Sequence, residues 1–203
     1  MTYQELIDSI RDLGFSDDAE MQEEEVLNRV VSSVNRAISF IGRKFPYIKK
    51  YEFEIDSSED DMLYITMPGD FLDFTETPVL YAVEDKSGES ETYTKFNDFD
   101  IETGDTIVIN TTSIKRPDTT YSFRVFYKAY PPKFTTSTDT TTEIPLPKKV
   151  HELVPLLASH WIWLDDEPTK AAQYYNEYEM ALSDIENESS TNKPRMRVLA
   201  GGI

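Results

Sequence analysis

Residues 26–55 read VLNRVVSSVNRAISFIGRKFPYIKKYEFEI, and a change of rhythm inside this stretch decides the fold. Leu27, Val30, Val31, Val34, Ile38, Ile41 and Phe45 recur at three- and four-residue spacing, the stripe of a helix that buries one face. Asp17 and Asp18 stand near its start, Glu20 and Glu23, Glu24 and Glu25 in its early turns, and Arg43 and Lys44 at its end. Both ends therefore suit the helix dipole. About 25 helical residues would span roughly 37 Å, and Pro46 ends the run. From residue 50 the period becomes two: Tyr51, Phe53 and Ile55 alternate with Glu52 and Glu54, as along a half-buried strand.

Upstream, Thr2-Tyr3-Gln4-Glu5 has the spacing of a capping box. Tyr3, Leu6, Ile7, Ile10 and Leu13 then form one helical face, with Gly14 placed to stop it. Downstream, strands are expected at Leu63–Met67 before the turn Pro68-Gly69-Asp70, and at Pro78–Val83 before Lys86-Ser87-Gly88. Others follow at Thr92–Phe96, near Ile101, at Thr106–Ile109 after Gly104-Asp105, and at Tyr121–Tyr130. Six or seven short strands with turns at this spacing predict a small antiparallel sandwich or barrel.

Pro131-Pro132 closes that block, and the Thr/Ser/Asp run Thr135–Thr142 reads as a loop. Helical spacing then returns. Leu153, Leu157, Trp161 and Leu164 mark one face and Val154, Ala158 and Ile162 another, so this helix should be central in its domain. Pro155 belongs in its first turn, and Pro168 suits the start of the next helix. Ala172, Tyr175, Tyr178, Leu182 and Ile185 stripe that last one. The fold class is α+β. A four-helix domain from 1–48 and 143–188 carries an inserted β domain, 49–132, with a loop at 133–142 and an extended tail at 189–203. Limited proteolysis is expected near 133–142.

The 203 residues carry 38 acidic and 20 basic side chains, a formal charge of −18. Residues 189–203, SSTNKPRMRVLAGGI, hold three positive charges and no negative one, which leaves −21 on residues 1–188. Such an asymmetry speaks of partners. It argues against a nucleic-acid binder, which gains affinity by replacing counterions with Lys and Arg. There is no cysteine, which excludes thiol catalysis, disulfides and cysteine-ligated zinc. The apolar runs LVPLLA and WIWL are far shorter than the roughly 20 residues of a membrane span. The opening MTYQELIDSI is acidic where an export signal is basic.

Little in the chain points to catalysis. His151-Glu152 begins like the zinc-protease sequence H-E-x-x-H, but position 155 is Pro. His160 lies beside the Trp161 stripe, as a packed histidine would. Ser159 and His160 are helical neighbours about 100° apart, so they make no nucleophile–base pair. Seven glycines leave little for a phosphate cradle. Asp56, Glu59, Asp60 and Asp61 lack the spacing of a calcium loop and read as a solvated turn. No catalytic residue, cofactor or metal is expected. The candidate partner-binding residues are in the tail: Lys193, Arg195 and Arg197 to pair with acids, Met196, Val198 and Leu199 to be buried.

Three stretches carry a resemblance: VLNRVVSSVNRAISFIGRKFPYI; MPGDFLDF, where a turn leads to an apolar strand; and YSFRVFYKAYPPKFTT followed by EIPLPKKVHELVPLLASHWIWLDDEPTKAAQYYNEYEMALSDI. This layout resembles the head-to-tail adaptor proteins of tailed bacteriophages, including the tail tubular A and gatekeeper-type ring proteins. The resemblance implies a virion protein made in the bacterial host cytoplasm, with no catalytic activity. It implies a ring of about twelve copies at the neck, bound to the portal and to tail or nozzle proteins, through which DNA passes without specific binding. Two other readings stand beside it: a ligand- or carbohydrate-binding β module on a helical base, and a carboxylate glycosidase. Aromatics exposed in a groove would favour the module; aromatics buried between sheets would favour a scaffold.

Overall fold

The computed structural model describes residues 1–14, 24–55, 61–75, 79–84, 92–113 and 121–191. The chain divides into two compact units, Met1–Phe45 with Pro132–Ile203, and Pro46–Pro131. It is an α+β protein: helices at both ends of the sequence, and antiparallel sheets between them.

The helical unit holds α1 (Tyr3–Asp12), α2 (Glu24–Lys44), α3 (Leu153–Trp163) and α4 (Pro168–Thr191). The capping box forms: Thr2 Oγ1 accepts from the Glu5 amide at 3.3 Å, and the Glu5 carboxylate accepts from the Thr2 amide at 2.8 Å. Val30, Val34, Ile38 and Ile41 of α2 are buried; the expected start of this helix at Asp17 and Asp18 lies outside the described residues. Helix α3 packs against the other three. Pro155 sits in its first turn, where a missing N–H leaves no bond unmade.

Four expectations need correction. Gly14 ends α1 through packing rather than a left-handed backbone: a Cβ there would lie 2.6 Å from Trp163 Nε1. Lys170 Nζ donates to the Gly14 carbonyl at 3.1 Å and lies 3.6 Å from the centroid of the Trp163 ring. On α3, it is Trp163 that is buried, while Trp161 is half-buried and Leu164 exposed. The stripe of α4 is turned by one residue in its first half. Ala171 and Tyr174 face the core and Ala172 and Tyr175 face out; small Ala171 admits α3 closely enough for His160 Nδ1 to donate to its carbonyl at 2.9 Å. Helix α4 also runs through Thr191, so residues 189–191 are helical rather than extended.

The polar segment after Pro132 is tied down. Asn35 Oδ1 accepts from the Phe134 amide and Asn35 Nδ2 donates to the Phe134 carbonyl, both at 2.8 Å. The Phe134 ring is buried, 4.9 Å from the ring of Tyr3. The Thr142 and Thr140 carbonyls accept from the amides of Tyr3 and Gln4, two donors that a helix start leaves unpaired. The expected cleavage window at 133–142 is therefore a pinned strap.

The β unit holds β1 (Tyr47–Ile55), β2 (Met62–Thr66), β3 (Phe71–Phe74), β4 (Leu80–Glu84), β5 (Thr92–Phe96), β6 (Phe99–Glu102), β7 (Thr106–Asn110) and β8 (Tyr121–Ala129). One sheet runs β1-β8-β4-β5, with β3 also on β8; the other runs β2-β7-β6. Every pairing is antiparallel. The two sheets share one core that includes Ile55, Leu80, Ile107, Ile109, Phe123 and Val125. This is the sandwich and not the barrel, with eight strands among the described residues where the turn spacing suggested six or seven.

Asp70, in the turn before β3, ties that turn to β1 and β8. Its carboxylate takes Lys49 Nζ at 2.6 Å and the Tyr127 hydroxyl at 2.8 Å, and its carbonyl takes the Tyr130 amide at 2.8 Å. The hydrogen bond from Lys49 holds the Asp70 carboxyl below its ordinary value, and the bond to Asp70 raises Lys49. Burial, then the bond to Asp70, pushes Tyr127 up to about 12.

Two predictions follow from these contacts. Asn35→Ala leaves both backbone groups of Phe134 unpaired, so it should cost about 2 kcal/mol, a fall in melting temperature of roughly 4–8 °C for a chain of this size. It should also open 133–142 to proteases that the native protein resists. Asp70→Asn should cost about 1 kcal/mol at neutral pH, the half-exposed ion pair being discounted for screening. Asp70 is depressed in the fold, so its contribution is present above its ordinary value of 3.8 and lost as pH falls through the lower folded value. The gap between native and Asp70→Asn unfolding curves should therefore close in acid. Tyr127 and Lys49 are raised, so their contributions fade as pH climbs above 10.

Candidate docking surfaces

The histidines serve structure. His151 is buried; its Nε2 donates to the Leu146 carbonyl at 2.8 Å, and its Nδ1 faces the Met1 nitrogen at 3.0 Å. His160 spends Nδ1 on Ala171, and its ring lies 6.2 Å from Trp161 and 5.1 Å from Tyr175. Among the described residues no group of His, Asp and Glu is arranged to hold a metal. Asp61 is described, while Asp56, Glu59 and Asp60 lie outside the described residues.

Most aromatics of the β unit are spent on its core. Phe53 stacks on Phe123 at 5.7 Å, Phe96 meets Phe123 edge-on at 5.3 Å, and Phe71 contacts Phe74 at 4.8 Å and Tyr127 at 5.9 Å. By the criterion set from sequence this favours a scaffold over a sugar-binding groove.

The helical unit keeps aromatic surface open. On α2, Arg36, Phe40 and Arg43 lie off the buried stripe and are exposed, Phe40 at 46%. The Arg36 guanidinium sits 4.3 Å from the centroid of the Trp161 ring, and Phe40 meets the same ring edge-on at 6.1 Å. A groove of about 570 Å³ follows, floored by Phe40, Ile41, Phe45, Tyr178 and Leu182 and rimmed by Arg43, Lys44 and Glu179. Lys44 pairs with Glu186 across the two helices. On the other flank of α4, Leu153, Ala181 and Ile185 floor a second groove beside Lys148, Glu152, Asp184 and Glu188. The C-terminal half of α4 thus stands between two grooves, and Met180 on it is 70% exposed.

The predicted partner-binding residues Lys193, Arg195, Met196, Arg197, Val198 and Leu199 lie outside the described residues. The α2 surface was missed in the sequence, although it left a signal. Phe40 interrupts the polar face of an amphipathic helix, and a large ring between two arginines there has no part in the core stripe.

Both units and most of the tail fall within one family: residues 1–199 match the model of the SU10 adaptor protein. No curated protein matches the chain. Among the described residues no helix is long and apolar enough to cross a membrane. The chain belongs to the SU10 adaptor protein family, a family of structural adaptors of bacteriophages.

Proposed function

We propose that the protein is a head-to-tail adaptor of the gatekeeper or tail tubular A type, about twelve copies of which form a ring at the virion neck between the portal and the tail or nozzle proteins. The observation that carries this reading is the family match over residues 1–199, which takes in both units and the basic tail through Leu199. The role is structural and not catalytic. Charge supports it: a channel wall of this acidity lets DNA slide through, since it offers phosphates no counterion to displace.

Twelve copies would gather about −200 charges, so free copies should associate weakly and close into a ring on the portal. The tail past Thr191 is the anchor in this reading. Lys193, Arg195 and Arg197 set the register against acids of the portal, and Met196, Val198 and Leu199 supply burial.

Ending the chain at Thr191 tests both statements. No core stripe of the sequence extends past Ile185, so the unfolding temperature should stay within a degree or two of native. Co-sedimentation with portals should be abolished or greatly reduced. Undiminished binding by the shortened chain would remove the tail from the interface; a stable ring of isolated protein at low salt would remove the need for a template.

A further inference from the structure

Two ridges on the helical unit, exposed except at the half-buried Glu177, match each other in spacing and are opposite in sign. On α2, Arg36, Phe40 and Arg43 follow one another at steps of four and three residues. On α4, Asp184, Met180 and Glu177, read backwards, follow at steps of four and three as well. Each ridge is charge, apolar, charge over seven residue steps, about 10 Å of helix. Among the described residues Arg36, Arg43, Glu177 and Asp184 make no ion pair. Arg36 rests on Trp161 and Glu177 accepts a hydrogen bond from Gln173 at 3.0 Å. Phe40 and Met180 are large apolar side chains left in water, 46% and 70% exposed.

We propose that the α2 ridge of one copy docks antiparallel on the α4 ridge of the next, with Arg36 on Asp184, Phe40 on Met180 and Arg43 on Glu177. The occupant of the aromatic α2 surface is a second copy of this chain. Antiparallel order is required because only then do the steps of four and three coincide. Methionine fits the position opposite Phe40, as a flexible thioether that packs well against an aromatic edge. The contact joins two different surfaces, so it repeats head to tail and closes into a ring when the rotation allows. The pairing stands on the ridges alone; only its closure into a ring rests on the function proposed above.

The chain has no cysteine, so single cysteines report the contact directly. Phe40→Cys and Met180→Cys proteins are made separately, mixed in concentrated solution and oxidised gently. A mixed disulfide dimer well above the yield of either homodimer is expected. Adding R36E and R43E to the Phe40→Cys partner should reduce the mixed dimer to the level of random collision. Adding E177K and D184K to the Met180→Cys partner should then restore it. A statistical mixture of dimers, or yields indifferent to the charge reversals in variants whose circular dichroism matches native, would overturn the pairing. The Phe40→Cys/Met180→Cys double variant separates the two readings. A ladder ending at a closed species supports both, while an open ladder keeps the ridge pairing and counts against the ring.

Discussion

Asn35 holds both backbone polar groups of Phe134, a residue 99 positions later, and the helical unit depends on that closure. Its core is assembled from the two ends of the sequence, and the chain leaves it at Phe45 and returns at Pro132. Closing a loop of this length costs on the order of 4 kcal/mol in chain entropy, so the return point has to be secured by something specific. The side-chain amide supplies one donor and one acceptor, as a neighbouring strand would. Phe134 then packs on Tyr3, whose amide is in turn satisfied by Thr142. One strap serves the exit helix α2 and the first turn of α1 together.

What the sequence made legible was periodic. The stripe on α2, the capping box at Thr2 and Glu5, the switch to alternation at Tyr51 and the first-turn prolines each rest on a local rule, and the fold class follows from them. What it hid was set by neighbours that periodicity cannot see. Trp161 and Trp163 are two residues apart on one helix, and the choice of which to bury was made by Gly14, over a hundred residues away in sequence. The phase of α4 was set by how closely Ala171 lets α3 approach. The run Thr135–Thr142 has the composition of a free loop and is held by its backbone, which composition does not report. Among surface features, Phe40 was readable as an anomaly on a polar face; its partner residues on α3 were not.

Each exposed apolar residue on the helical unit invites the same question, because burying it within the chain was open to selection and did not happen. Phe40 meets Trp161 edge-on, and Arg36 lies over the same Trp161 ring, an arrangement that fixes its orientation without covering it. A side chain fixed in place but left wet loses little further entropy when a partner covers it. The energetic gain from that covering is correspondingly larger. Met180 is the opposite kind of residue, flexible and largely in water, so it would adapt to the rigid ring that the proposed pairing sets against it. A rigid anchor facing an adaptable one gives a contact that is specific in position and modest in strength.

Modest strength is what the charge of the molecule demands. At −18 per copy the long-range field opposes assembly, and the short-range pairs proposed between the ridges would favour it. The first grows with every copy added to a ring, whereas each new neighbour contributes only one more contact of the second kind. Screening weakens exposed pairs and the self-repulsion together, so salt alone does not decide between free copies and a ring. An external surface that fixes the copies side by side does, because it lowers the entropy cost of bringing each pair of ridges together. In the proposed ring the template would set when the ring forms, and the spacing of charge and apolar side chain on α2 and α4 would set which faces meet when it does.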